Sequence, residues 1–446
     1  MSMFLEQAQQ LDRDNPLAHW ASEFYRQPGI IYLDGNSLGL LSKRAEQAVV
    51  QVLEAWKTLG IEGWTSGEHP WFNLSREVAT LLAPLVGTKP ECIALSDSVT
   101  VNLHQLIASF FHPTTGRDCI LLDDLAFPTD RYVVQSQLQL RGLSPEQHRK
   151  LIPSRDGSTL AEADIITALQ QPNIALALLP AVLYRSGQLL DMKKITQAGR
   201  EAGVRIIWDC SHSVGAIPHQ FDEDGIELAV GCTYKYLNGG PGAVAFLHVC
   251  RELLQNEDVS LAAPPHPQPL SLQGRGEKTM PGLTGWFGSD PSKQFAMTPT
   301  FQPASDAGRY LLGTPHVLSL APLLGTLLMF LEVGVKTLRE HSLKLTHFLR
   351  TMAEAELGSY GVNCITPHAD HQRGGHITLQ HPDAKLLSNA LRERGVIPDF
   401  RAPDLLRLAP APLYTSYADM AQAIGILKDL LTTGSYHQSQ SHALVT

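Results

Sequence analysis

The stretch IIWDCSHSVGAIPHQFDEDGIELAVGCTYKYLNGGPG, residues 206–242, decides how the rest of the chain is read. A largely apolar run from Val204 to Trp208 stops at Asp209, and His212 follows three residues later. A second apolar run ends in Thr233-Tyr234-Lys235-Tyr236, just before the turn Asn238-Gly239-Gly240-Pro241-Gly242. An acid, an imidazole and an amine therefore stand at the ends of buried segments, where an ionisable group needs a compensating role.

That pattern fits a site for pyridoxal 5'-phosphate (PLP), with Lys235 as the amine that takes the aldehyde and Asp209 as the acid that faces the pyridinium nitrogen. A lysine flanked by Tyr234 and Tyr236 and removed from water is neutral often enough to act as nucleophile and base, because burial disfavours the ammonium form. His212 is spaced to reach the Asp209 carboxylate or the ring. A phosphate dianion also needs a seat. Ser96-Asp97-Ser98-Val99-Thr100 precedes a helical pattern with Leu103, Leu106, Ile107 and Phe110, and the free amides of a helix start suit an anion. The same residues also describe an ordinary capped helix. No Walker-type phosphate loop competes for the role.

Working outward, short apolar runs alternate with helical patterns: a strand from Cys119 to Leu122, a helix opened by Phe127-Pro128-Thr129-Asp130, a strand from Ile174 to Leu179, a helix capped by Asp191, and the strand ending at Trp208. Near-continuous apolar strands between helices predict a mostly parallel sheet covered on both faces. Ligands of such sheets sit at the carboxyl ends of the strands, where Phe127, Asp130, Asp209 and His212 all fall. Upstream, Ile30 to Leu33 reads as a strand, Asp34 to Leu40 as a Gly-rich turn, and 42–59 as a helix stopped by Gly60. Trp64 and Trp71 stand in the loop that follows, suited either to binding or to packing on each other.

Beyond the sheet the pattern changes. Residues 261–281 are Pro-rich with little periodicity and are expected to form a mobile insertion. Helices at 335–356, 383–394 and 417–432, with strands at His376 to Leu379, Val396 to Phe400 and Leu405 to Leu408, predict a smaller α+β domain. The expected division is an N-terminal segment, 1–44, packed with the small domain; a large α/β domain, 45–310; the small domain, 311–433; and a disordered tail, 434–446. Arg401 and Arg407 lie on or beside short apolar strands, each suited to a carboxylate clamp or a structural ion pair, and Arg407 is the preferred clamp.

Composition limits the function. Of 446 residues, 35 are Lys or Arg and 44 are Asp or Glu, a formal net charge of -9 that argues against nucleic acid or an anionic membrane as partner. Six cysteines without CxxC pairing suggest reduced, buried thiols and a cytoplasmic protein. No basic segment followed by an apolar one opens the chain, so no secretory signal is expected. The apolar window LSLAPLLGTLLMFLEVGV, broken by Pro322 and Gly325, reads as a core helix and not a membrane span.

Seven blocks now carry more than their spacing: YLDGNSLGL (32–40), SVTVNLHQLIASFF (98–111), FPTDRYVVQSQLQL (127–140), WDCSHSVGAIP (208–218), YKYLNGGPG (234–242), GWFG (285–288) and LRLAPAPLY (406–414). In this order they resemble the kynureninase family over almost the whole chain. The resemblance implies an α/β PLP enzyme of fold type I (aspartate aminotransferase-like). It implies a homodimer with active sites at the subunit interface, hydrolysing L-kynurenine to anthranilate and L-alanine in tryptophan catabolism and NAD biosynthesis, with 3-hydroxykynurenine as an alternative substrate. It assigns Lys235 as the PLP lysine, with Tyr234 a phosphate contact and candidate proton relay, and Asp209 and His212 beside the ring. Val99 and Thr100 become phosphate contacts, Phe127 and Asp130 lie over and beside the ring, and Trp286 and Thr314 are cofactor contacts from the second subunit. Trp64, Gly313 and Arg407 fall to the substrate, and no metal is implied.

Two departures stand out: Pro180 occupies a position expected to hold a small hydroxyl residue, and the Pro-rich insertion before Trp286 is long. The rival reading is another fold-type I lyase, a cysteine desulfurase or selenocysteine lyase. A desulfurase needs a reactive cysteine on a mobile loop, and Cys364, between Val362 and Ile365, has strand-like neighbours instead.

Overall fold

The computed structural model describes residues 2–255 and 281–439. Its centre is a seven-stranded sheet of Ile93–Ser96 (β1), Cys119–Asp123 (β2), Arg149–Ile152 (β3), Ile174–Pro180 (β4), Arg205–Asp209 (β5), Leu228–Cys232 (β6) and Ala245–Val249 (β7). The strand order is β1-β7-β6-β5-β4-β2-β3. All strands run one way except β7, which is antiparallel to both its neighbours. The reversal follows from the connection. A parallel return needs a crossover of a dozen or more residues, usually helical, whereas the segment 233–244 is a Gly-rich loop with no helix. That loop holds Lys235 at the carboxyl end of β6.

The continuous apolar character of the strands reflects burial on both faces. Ile206 and Trp208 of β5 enter one core, with Leu121, Leu179 and Phe246, while Ile207 enters the other, with Leu122, Leu178, Leu228 and Val230. Each such side chain contributes roughly 1.5–3 kcal/mol of transfer free energy. Trp208, fully buried, satisfies its indole by donating to Thr196 Oγ1 at 3.0 Å. The helix Val99–Phe110 starts at the carboxyl end of β1 and Pro128–Leu140 just beyond β2, so both helix starts point to the edge that carries Asp209 and Lys235.

A second sheet, of Asn363–Cys364 (β8), Ile377–Gln380 (β9), Asp399–Arg401 (β10) and Leu405–Leu408 (β11), has the antiparallel order β10-β11-β9-β8. The single strand expected over 396–400 is split: Val396–Ile397 pairs in parallel with Ile31–Tyr32, and only after Pro398 does the chain enter β10. Pro398 has no N–H to continue one ladder into the other. The N-terminal helix Ser2–Arg13 sends Phe4 and Ala8 into the core of this unit, beside Ile31 and Leu33.

Packing divides the chain later than position 311. The helix Val317–Val333 buries Leu320, Leu323, Leu324 and Leu327 in the core of the large sheet, against the helices Lys43–Leu59 and Leu74–Val86. It is apolar on nearly every side and so needs cover all round. After Gly334 the path bends by 80° into Val335–Leu357, whose later residues Leu345, Phe348 and Leu349 join the small core. Likewise, Ser435–Gln438, reached within the expected disordered tail, form a 3-10 turn in which buried Tyr436 donates to Asp383 Oδ2 at 3.1 Å. Residues 440–446, and 261–280 of the expected insertion, lie outside the described residues. No single helix among the described residues is long and apolar enough to cross a membrane.

Candidate active site

A cavity of about 550 Å3 opens at the carboxyl edge of the large sheet, where β10 and the turn after Ile31–Tyr32 close over it. Its wall includes Val99, Thr100, Phe127, Asp130, Asp209, His212, Tyr234 and Lys235, eight of the positions singled out from the sequence. Asp209 is the last residue of β5, and its Oδ1 accepts the Ser211 N–H at 2.8 Å. Lys235 Nζ lies 2.8 Å from His212 Nε2. Burial, then the Arg407 and Arg401 guanidiniums, pushes the Lys235 amine below the usual lysine range, although Cys232 and Asp209 pull the other way. Burial and Lys235 hold His212 well below the usual imidazole range, so the imidazole accepts and the amine donates. His212 Nδ1 is buried and has no hydrogen-bond partner among the described residues.

Asp130 reaches the cavity from the first turn of Pro128–Leu140. It is buried, its Oδ1 has no hydrogen-bond partner among the described residues, and burial followed by Asp209 and Asp123 raises its pKa well above the usual carboxyl value. At the other wall, Ser98 caps the helix Val99–Phe110 by accepting the Val101 N–H at 3.3 Å. The amides of Val99 and Thr100 therefore face the cavity end of a helix without intrahelical partners. Burial pushes the Tyr234 hydroxyl upward, so it stays protonated as a donor. Phe127 is 41% exposed at the mouth, with Tyr184 edge-on at 5.3 Å.

The lysine loop is held by the turn that the sequence read only as Gly-rich. Gly39 donates its N–H to Tyr234 O at 2.8 Å, and a Cβ at Gly39 would stand 2.5 Å from Lys235 O. Pro180 ends β4 in the cavity wall, so no hydroxyl is offered there. Sequence reasoning passed over Tyr184, Ser211, Asp34, Ser37 and Arg392, which also line the cavity, and His376, buried with its ring 6.0 Å from His212. Tyr184 and Ser211 follow the carboxyl ends of β4 and β5, so the rule that picked out Asp209 reaches them too. Arg392 and His376 meet the site only through the docking of the small unit.

Five expected site residues are not in this cavity wall. Arg407 is fully buried behind it, ion-paired with Asp399 and donating to Tyr184 O at 2.6 Å, while Arg401 reaches the wall. Trp64 packs edge-on against Trp71 at 5.5 Å and Phe72 at 5.8 Å. Phe72 stacks on Phe287, which meets Trp286 at 5.8 Å, so Trp64 and Trp286 belong to one aromatic cluster outside the cavity. Gly313 and Thr314 are exposed.

Residues 338–427 match the family model for the kynureninase C-terminal domain. Over 432 residues, 97% of this chain and 95% of the relative, the sequence is 47% identical to a kynureninase of Geobacillus thermodenitrificans. It is also 47% identical over 436 residues to one of Bacillus anthracis, covering 98% of this chain and 96% of that one. The chain belongs to the kynureninase family. Among solved structures, a C-DES mutant with glycine covalently linked to its PLP cofactor superposes with a TM-score of 0.75 at 18% identity, covering 92% of this chain and 98% of that one. The Escherichia coli cysteine desulfurase CsdA gives 0.69 at 16% identity, covering 93% and 98%. These likenesses give the kynureninase-family chain its fold, type I of the PLP enzymes, and nothing finer. The desulfurase reading lacks its nucleophile: Cys364 is half-buried in β8, paired with Leu379, and burial raises its thiol pKa.

Proposed function

We propose that the Lys235 cavity is the centre in which this kynureninase-family chain, with PLP, hydrolyses L-kynurenine to anthranilate and L-alanine. The observation that carries the assignment is the Lys235 amine, buried and set 2.8 Å from His212 in a cavity walled by Asp209, Asp130 and the start of the helix Val99–Phe110. The donor set suits PLP. The Val99 and Thr100 amides and the Tyr234 hydroxyl would hold the phosphate, and Asp209 would hold the protonated ring nitrogen. Phe127 would cover the ring, and the unpartnered Asp130 Oδ1 and His212 Nδ1 would meet its polar substituents. PLP, when bound, supplies the electron sink that lets bonds at the substrate's α-carbon and beyond break heterolytically.

Lys235, its pKa lowered by burial, takes the substrate's α-proton and returns it at a neighbouring carbon. His212 orients that amine through its hydrogen bond, and Tyr234 is the donor placed to protonate the β-carbon left behind when anthranilate departs. The arginine end of the cavity, with Arg407 behind it, takes the substrate's carboxylate. Trp64 and Gly313 would bound the aryl ring, and Trp286 and Thr314 would reach the cofactor, from a second copy of the chain in a homodimer. In favour of that assembly, all four lie outside the cavity of their own chain, Trp286 being 44% exposed. The six cysteines are all free thiols, in keeping with a cytoplasmic protein.

Purified protein loaded with PLP and given L-kynurenine is expected to release fluorescent anthranilate and an equal amount of alanine, and Lys235→Ala to lose both turnover and the absorbance band of lysine-bound PLP. A Lys235→Ala protein that keeps that band and turnover would overturn the assignment, as would wild type that binds PLP yet yields no anthranilate.

A further inference from the structure

The helix Val99–Phe110, whose start is the proposed phosphate seat, carries a buried amide further along. Gln105 is 1% exposed, and both polar atoms of its side chain are bonded to backbone remote in the chain. Oε1 accepts the Leu283 N–H at 3.1 Å, while Nε2 donates to Leu283 O at 2.8 Å and to Tyr310 O at 3.4 Å. The amide therefore pairs with Leu283 as a residue on a neighbouring strand would, exchanging both bonds. One turn on, Ser109 Oγ accepts the Gly282 N–H at 2.8 Å and donates to Gln105 O at 2.6 Å.

Both clamped segments lead to residues that miss the cavity of their own chain. Three residues after Leu283 comes Trp286, and four after Tyr310 comes Thr314, the two assigned above to the cofactor of a second copy. The segments also touch each other: the Phe287 N–H donates to Leu312 O at 3.4 Å, and a Cβ on Gly285 would stand 2.5 Å from Leu312 Cα. Trp286 and Thr314 are exposed, so their placement depends on the backbone that carries them, and Gln105 bonds to both stretches of it. Removing that amide strands a buried N–H and two carbonyls, which costs more than the bonds themselves are worth.

We propose that Gln105 is a positioning residue for the active site of the other subunit: through Leu283 and Tyr310 it holds the segments that present Trp286 and Thr314 to the cofactor of a second copy. Its loss is therefore felt across the dimer. This rests on the reading of a homodimer in which those two residues are supplied by the second chain, and adds the side chain that sets their placement.

The test reads anthranilate release against PLP concentration in dimers assembled from two differently tagged chains and purified through both tags. In the Gln105→Leu homodimer the PLP concentration for half-maximal turnover should rise about 5- to 30-fold, the worth of one to two hydrogen bonds. A hybrid of a Gln105→Leu chain with a Lys235→Ala chain has one working lysine, facing a partner with Gln105 intact, and should return to the wild-type midpoint. A hybrid of a wild-type chain with a chain carrying both Gln105→Leu and Lys235→Ala has its lysine facing a partner without Gln105, and should keep the raised midpoint. Should Gln105→Leu not fold, Gln105→Glu takes its place: it keeps the acceptor for the Leu283 N–H, lacks the donor for the two carbonyls, and is expected to give the same pattern. An unchanged midpoint in the homodimer, or a raised one that follows the chain bearing Lys235, overturns the proposal. Trp286→Ala in place of Gln105→Leu checks the reading beneath it: if that defect stays with its own chain, or if no hybrid dimer forms, the second-subunit reading fails and the proposal with it.

Discussion

Replacing Gly39 by alanine tests whether the N-terminal turn supports the lysine loop. The new methyl would stand 2.5 Å from Lys235 O and 2.7 Å from Asn238 Cγ, and would also touch the Asn238 amide oxygen. The backbone of that loop yields little, because Asn238 is left-handed at φ 58° and buried, with its N–H bonded to Lys235 O at 3.0 Å. The turn must therefore move, and the hydrogen bond from Gly39 N–H to Tyr234 O stretches or breaks. Overpacking of this kind costs about 1–3 kcal/mol, and the lost hydrogen bond about 1 kcal/mol more. If half of that falls on the seat of Lys235, PLP affinity drops by about 5- to 30-fold. The assay is a PLP titration of apoprotein, read by absorbance, beside Gly358→Ala as control. Gly358 has φ -57° and open space around its Cβ position, so no change is expected there. A Gly39→Ala protein that binds PLP as tightly as wild type would refute the reasoning.

His219 is buried, 2.9 Å from Ser213 Oγ, and burial lowers its pKa to about 4. The unfolded chain, titrating near 6.5, binds the extra proton first as pH falls, so the stability advantage of wild type over His219→Gln should shrink by about 2 kcal/mol between pH 7 and pH 5; denaturant melts that give a pH-independent difference would contradict this. For the second-subunit assignment, Lys235→Ala and Trp286→Ala should each be inactive alone. Mixed after dissociation they should recover about a quarter of wild-type turnover, since half the dimers are hybrids with one intact site; no recovery would argue that Trp286 serves its own chain.

The inner strands of the large sheet were legible because, buried on both faces, they are nearly all apolar and most alternate with helices; the edge strand β3, Arg149–Ile152, and the helix-free step from β6 to β7 follow no such rule. The rule that ligands lie at the strand carboxyl ends then led to Asp209, His212, Phe127 and Asp130, all in the cavity wall. The small unit was less legible. Val396 to Phe400 looks like one strand, and only Pro398 hints that it serves two sheets. The division expected at 311 puts the helix Val317–Val333 in the small unit, but its buried leucines pack against two helices of the large one.

What the sequence alone determined is the chemistry that depends on order along the chain: an acid ending one strand, a lysine in the loop ending the next, and a capped helix start, all brought to one edge by sheet topology. Tertiary structure alone decided what comes from remote segments. The turn at Gly39 packs on the lysine loop because a Cβ-free residue lets two backbones touch. Arg407 lies behind the wall and Arg401 in it because the β10–β11 register sets Asp399 opposite Arg407, and one buried carboxylate claims the nearer guanidinium. The Gly39 contact joins segments remote in the chain, and the Arg407 pairing, though made within one hairpin, meets the cavity only where the small unit docks on Tyr184.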